Sequence, residues 1–396
     1  MLTRRQIALL AGFGAIAPLS IDMYLPAMPE LASDLGITSI QAGQSVSIFF
    51  SGVAIGQLVA GPMSDRLGRR PLILGGLVLY LAGSIVAMAG GDFALLLLAR
   101  LMQALGACAV TVAGRAIVRD RLEATDAARL FSLLALIGGL APVLAPGVGN
   151  LVLGFGSWRS IFLVMATAGA LLLAGAFANM LESRSAQTAE LARDEHPFRS
   201  YGRLLGNRDV LPYLLAGSFN SACMFAYIAN SPAVLMGEYG ISRMMFGLMF
   251  AVNAVGLVAA SQLNRHLLKT RNPEEILRGS MRNAFLLAIL FAIFAALRLT
   301  ELPVLLILLF IVIASTAIVQ ANTLAMTLGA DPARAGAAAA LFGASTFAAG
   351  AVSSWLAGIL PLPRGAALAA TISACLVGCG LALFRAGSRR ARQVAA

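Results

Sequence analysis

Long uncharged stretches alternate with short polar ones along almost the whole chain. A helix needs about 20 apolar residues to cross a bilayer, and helices can do so because they satisfy their own backbone hydrogen bonds. Stretches of that kind predict twelve transmembrane helices, over residues 6–28, 42–63, 71–90, 93–115, 128–153, 159–181, 210–235, 244–263, 279–297, 302–323, 337–359 and 365–386. Most connections are short, so sequence neighbours are expected to pack antiparallel. One connection is long and charged, with Arg184, Glu190, Arg193, Asp194, Glu195, Arg199, Arg203 and Arg208. It divides the chain into an N-terminal six-helix bundle at 1–181, a linker at 182–209, a C-terminal six-helix bundle at 210–386 and a tail at 387–396.

Composition agrees with that pattern. Of the 396 residues 59% are hydrophobic and 12% charged, with a mean hydropathy of +0.85. Globular domains carry roughly 25% charged residues, so the surface a soluble protein of this size needs is missing. The net charge of +11 raises nucleic acid as a partner. That requires a basic face on a soluble fold, and the arginines here sit between apolar runs instead. With the N-terminus inside, the outer loops carry only Arg159, Arg243, Arg298 and Arg364, Arg100 falls within a span, and the remaining Lys and Arg are inside. That asymmetry places both termini in the cytoplasm. Arg4 and Arg5 precede an apolar run long enough to stay as a first helix rather than a cleaved leader. Cys108, Cys223, Cys375 and Cys379 all lie in apolar runs without a metal-ligand pattern and read as small buried hydrophobes.

A few polar residues interrupt the apolar spans. Asp22 stands in PLSIDMYLPAMP, ~9 Å inside the outer end of the first span at ~1.5 Å per residue. An ionisable group at that depth is costly and usually functional; the alternative is that Asp22 caps a broken helix near Pro26 or meets interfacial water. Spans 2 to 6 hold no other well-buried carboxylate, so Asp22 is the expected proton carrier. Arg100 enters the fourth span from the same side and reaches a similar depth, ~10 Å. An Asp22–Arg100 pair is expected, either coupling protons to substrate or static and structural. The fifth span contains Gly138, Gly139, Pro142, Pro146, Gly147 and Gly149, a set that kinks helices and lets them approach closely. Tyr24, Gln57, Asn220, Met224, Phe225, Asn230 and Gln320, with Tyr227, Asn253 and Asn322, fit two readings: hydrogen-bonding points in an apolar cavity, or glue between helices. His196 and His266 fall in polar segments and read as solvated. No nucleophile–base, metal or phosphate-binding pattern occurs, which points away from an enzyme and away from any cofactor.

The most polar connection is the basic turn in Gly61–Leu74, GPMSDRLGRRPLIL, which packs Asp65, Arg66, Arg69 and Arg70 into six residues. Gly61 and Gly68 are expected at tight turns, and Asp65 at the N-terminal end of a neighbouring helix. The stretch resembles the signature loop between helices 2 and 3 of the major facilitator superfamily. Arg100 and Gln103 resemble that superfamily's fourth-span pattern, with Ala104 where glycine is usual and Gly106 close behind. Ala145-Pro146-Gly147-Val148-Gly149-Asn150 is similar to the fifth-span antiporter motif, with both its outer glycines replaced. Together with LLLLARLMQAL and YIANSPAVLMGEYGIS, these stretches resemble the bicyclomycin/chloramphenicol-resistance branch of drug/proton antiporters.

The resemblance implies an all-α integral membrane protein with the major facilitator fold, its twelve helices forming two six-helix bundles around a central cavity. It also implies that Arg69 pairs with Asp120, making Gly61, Asp65, Arg66, Gly68, Arg69, Arg70 and Asp120 a cytoplasmic latch, with the span-11 helix near Gly336 as Asp65's neighbour. Some relatives carry a second carboxylate two turns before the first-span Asp; Gly14 stands near there, which suggests a single-carboxylate scheme. The expectation is a monomeric bacterial inner-membrane antiporter that exchanges protons for small apolar or amphipathic drug-like compounds. A proton-coupled importer, a metabolite exporter and a passive facilitator are the alternatives.

Overall fold

The computed structural model describes residues 2–185, 197–297 and 301–395. Residues 186–196 of the charged linker, with His196, and Arg298 lie outside the described residues. Every described element is helical or a turn. The helices are α1 Arg4–Asp22, α2 Met28–Asp34, α3 Ser39–Leu67, α4 Arg69–Ala89, α5 Phe93–Arg121, α6 Ala124–Phe155, α7 Trp158–Asn179 and α8 Pro197–Gly206. They continue as α9 Leu211–Ser231, α10 Arg243–Leu267, α11 Pro273–Ala296, α12 Leu302–Ala330, α13 Ala335–Ile359 and α14 Arg364–Ala395. Eleven stretches among the described residues are long and apolar enough to span a bilayer; α1 and α2 together make one of them. The 32-residue α6 occupies the place of the remaining expected span.

Local chemistry sets the boundaries. Thr3 with Gln6, Thr38 with Gln41 and Asn272 with Glu275 form reciprocal capping boxes at the starts of α1, α3 and α11. The Asp92 carboxylate caps α5 by accepting the Leu95 N–H at 2.8 Å. The first span is broken: α1 ends at Asp22, a 3₁₀ turn follows at Leu25–Ala27 around Pro26, and α2 resumes at Met28.

The signature stretch departs from expectation. Its first half is not a turn, because α3 runs straight through Gly61 and Pro62 to Leu67. A Cβ on Gly61 would meet nothing within 4 Å, so neither a turn nor a close approach explains that glycine. The reversal rests on Gly68 alone, whose φ of +111° lies where side chains are strained.

The chain forms two compact units. One comprises 1–196 with Arg243–Ala251, the other Pro197–Ser242 with Val252–Ala396. Within the first, α4 packs most extensively on α5, α3 on α5, α4 on α7 and α1 on α6. Within the second, α9 packs on α13, α11 on α14 and α9 on α12. The pairings of first with fifth span and of third with sixth therefore recur in both units, as an internal repeat requires.

Glycines let α4 and α5 touch backbone to backbone. A Cβ on Gly106 would strike the Gly76 carbonyl and sit 2.7 Å from the Tyr80 N–H; one on Gly83 would sit 2.7 Å from the Ala99 carbonyl. Ala104, the residue that replaces a usual glycine, faces Gly52 of α3, where an added Cβ would come within 2.6 Å. The small residue has moved across the interface, so close packing survives. Large apolar side chains such as Leu171, Phe177, Leu248 and Ile289 are exposed, as lipid-facing surfaces require.

Candidate functional site

Arg100 projects from the second turn of α5 into the first unit and is 0% exposed. Its guanidinium lies over two rings, 4.8 Å from the centroid of Tyr24 and 4.5 Å from that of Phe49. A planar, weakly hydrated guanidinium suits such stacking better than an ammonium would. Nη1 donates to Gln103 Oε1 at 2.9 Å, and Gln103 Nε2 in turn donates to Ser84 at 2.8 Å and lies 3.6 Å from the sulfur of Met165. Arg100 Nε and Nη2 are buried with no acceptor. Neighbouring hydroxyls close on one another: Ser20 with Tyr80 at 2.7 Å, and Tyr24 with Ser45 at 2.9 Å.

Asp22 is 4% exposed at the last position of α1. The structure does not make the expected pair: no ion pair joins Asp22 to Arg100, and no donor among the described residues lies against the Asp22 carboxylate. The physical reason is local. The break after Asp22 carries Tyr24 under the guanidinium, so aromatic faces hold Arg100 where a carboxylate was expected. Asp22 sits instead at the last position of α1, just before the break. Nor does Asp22 cap the broken helix, since neither the 3₁₀ turn at Leu25–Ala27 nor α2 has a side-chain cap hydrogen bond at its start. Across from this turn, Gly149 of α6 has no room for a Cβ because the Met23 carbonyl is against it. Gly147 has nothing within 4 Å. Pro142 and Pro146 lie inside a continuous α6.

The arginine cluster forms a second constellation at the other end of the same unit. Arg69, 1% exposed, donates through Nε to Asp120 at 2.9 Å and through Nη1 to Ser64 at 3.0 Å and to Asp65. The structure thus brings Arg69, Asp65 and Asp120 together. Arg70 reaches the Phe177 carbonyl at 3.2 Å and lies over that residue's ring.

Sequence reasoning missed Glu182, which it assigned to the linker. Its carboxylate accepts the backbone N–H groups of Arg69, Arg70, Ser183 and Arg184 at 2.9 to 3.2 Å, capping the N-terminus of α4. Burial pushes this carboxyl up, but the four N–H donors outweigh it and hold the value below the ordinary carboxylate range. Arg121 donates to the Glu182 carbonyl at 2.8 Å, while Arg184 reaches back to the carbonyls of Asp65 and Arg66. The five residues after α7 are therefore a strap across the ends of α3, α4 and α5. A helix start with no capping side chain of its own was the available signal, since Gly68 cannot cap.

The polar residues of the second unit hydrogen-bond between helices. Asn220 donates to the Thr316 carbonyl at 3.0 Å, Ser221 to Gln320 at 2.9 Å, and Asn230 to the Ser354 carbonyl at 3.1 Å. Asn253 donates to Tyr227, and Asn322 to Asn264. Phe225 stacks on Phe347 with centroids 4.8 Å apart, and Met224 lies 4.0 Å from the Thr316 hydroxyl. Gln57 is half-buried on α3, while Tyr24 serves as the shelf for Arg100. Among the described residues no His, Cys, Asp and Glu group could hold a metal ion.

Comparison with known proteins agrees with this architecture. The model of the Major Facilitator Superfamily matches residues 10–354. The chain is 30% identical over 377 residues to the bicyclomycin resistance protein homolog of Haemophilus influenzae, covering 94% of each. It is 29% identical over 360 residues to the multidrug resistance protein MdtL of Klebsiella pneumoniae, covering 91% of this chain and 90% of that one. A crystal structure of the peptide transporter POT superposes with a TM-score of 0.76 at 16% identity, covering 97% of this chain and 94% of the other. The human organic anion transporter MFSD10 does so at 0.65 and 18%, covering 96% and 99%. At those identities the two structures speak to the fold alone.

Proposed function

We propose, since this chain belongs to the Major Facilitator Superfamily, that it is a multi-pass membrane transporter of the bacterial inner membrane that exports small apolar or amphipathic compounds in exchange for protons. The named relatives support the substrate class, as they are bicyclomycin- and multidrug-resistance proteins. The arginine asymmetry supports cytoplasmic termini.

One observation carries the coupling mechanism: a nearly buried carboxylate without a donor stands in the same unit as a buried guanidinium with two nitrogens, Nε and Nη2, that find no acceptor. Each is poorly compensated as a charge, and neither is satisfied by the other. Asp22 takes a proton from outside and releases it inside. When it is ionised, movement of the Met23–Tyr24 turn brings it toward Arg100; when it is protonated, the guanidinium returns to the ring shelf of Tyr24 and Phe49. Substrate is expelled as one arrangement replaces the other. The reaction is an exchange across the membrane that breaks no covalent bond.

The test is efflux of a fluorescent cation or phenicol from proteoliposomes under an imposed pH gradient. Asp22→Asn is expected to abolish gradient-driven efflux while the protein inserts and purifies as wild type does. Full gradient-driven efflux by that variant would sink the reading.

A further inference from the structure

One feature outside the machinery described so far lies in the second unit. A cavity of about 360 Å³ opens where the beginnings of α9 and α11 meet the end of the membrane-spanning part of α14. The spans that begin at Leu211 and Pro273 and the one that ends at Ser388 bring these ends to one end of the bundle, where the apolar segments give way to polar ones, the level expected for lipid headgroups. Its floor is apolar: Leu277 and Leu383 belong to a buried cluster with Ala216, Val319 and Cys379, and Met281 packs against it. Phe384, exposed beside the mouth, continues the apolar wall toward lipid.

The rim is charged. Arg278 lines the cavity, and Arg282 and Arg385 are exposed one turn further along α11 and on α14. Glu274 is the acidic lining residue, and it already accepts a hydrogen bond from the Tyr213 hydroxyl at 3.4 Å. An apolar slot continuous with the lipid-facing surface, under a rim of excess positive charge at headgroup depth, is complementary to one kind of molecule. Acyl chain fits the floor, and a phosphate with net negative charge fits Arg278. A free phosphate would leave the apolar floor empty, and a zwitterionic headgroup would leave the positive excess unanswered.

We infer that the crevice between α11 and α14 binds the headgroup and upper acyl chain of an anionic phospholipid, with Arg278 holding the phosphate. It rests on the chain being a membrane protein but not on the direction or proton coupling of transport. Lipid bound there ties the ends of α9, α11 and α14 together and stabilises the second unit.

The test titrates the purified full-length protein in detergent with phosphatidylglycerol, phosphatidylcholine, phosphatidylethanolamine or glycerol 3-phosphate and follows the thermal midpoint. Phosphatidylglycerol is expected to raise the midpoint saturably, and the other three are not. Arg278→Gln is expected to weaken the half-saturating lipid concentration roughly fivefold, in line with the contribution of one arginine near a headgroup. Met281→Trp keeps the rim charges but fills the slot, and is expected to lose the phosphatidylglycerol-dependent rise of its own midpoint. A wild-type response in both variants would overturn the assignment, because the lipid would then be held by the tail or elsewhere. An equal response to the zwitterionic lipids or to glycerol 3-phosphate would overturn it too. None of these readouts measures transport, so their outcome is separate from that of the Asp22 experiment.

Discussion

Glu182 shows how one side chain can organise several elements. It supplies the acceptor that the start of α4 lacks, and it fills the space a Cβ at Gly68 would need, 2.5 Å from its Oε2. Its folded-state value lies below the ordinary 4.5, so the native state holds this proton less firmly than the unfolded chain does. The stabilisation is therefore complete above about pH 4.5 and is lost as pH falls through the lower native value. Comparing thermal midpoints of wild type and Glu182→Gln across pH is expected to show the full gap at pH 7 and a shrinking gap below that point. A gap that widens in acid would contradict the capping role. Arg100 makes the complementary point. Its depth in the fourth span is plain from the sequence, but its partners are aromatic faces from α1's break and from α3, residues that no spacing rule connects to it.

Between elements, the decisive quantity is how closely two backbones approach. Gly106 and Gly147 look alike in the sequence, each a small residue within an apolar span. The structure separates them. Gly106 faces the carbonyl of Gly76 and the N–H of Tyr80, backbone atoms that cannot swing aside, whereas Gly147 faces open space. Gly106→Ala is expected to destabilise the protein by roughly 1–3 kcal/mol, the usual range for overpacking a tight interface. Gly147→Ala is expected to stay within about 0.5 kcal/mol. Thermal melts in detergent distinguish the two, and equal losses would show that α4 and α5 do not approach as closely as described. The same reasoning accounts for Ala104, since its partner Gly52 makes the room that a glycine on α5 would otherwise provide.

For the whole molecule, the arrangement suggests a division of labour along the first unit. Asp22 and Arg100 lie toward one end. Arg69, Asp65, Asp120 and Glu182 tie helices together at the other. If the second cluster is a latch, Asp65→Ala removes one of Arg69's two acidic partners and is expected to slow substrate exchange by several-fold. Proton release on substrate addition is expected to persist in that variant. Loss of proton binding would show that latch and coupling site are one system.

The sequence by itself determined the membrane class, the spans, the superfamily and the residues whose burial would be costly. Those follow from hydropathy and local spacing, because a bilayer imposes length and polarity on every segment independently. It also made the Arg69–Asp120 contact legible, through resemblance. It misplaced the turn at Gly61, since helix continuation through Pro62 depends on neighbours and not on the glycine itself. Only the tertiary structure decided that Asp22 and Arg100 stand unpaired, that Glu182 belongs to the arginine cluster, and that Asn220 and Asn230 bridge helices. Partner choice inside a bundle is set by which helix faces meet at which depth. That depends on the break after Asp22 and on the glycine contacts, and a one-dimensional pattern carries neither.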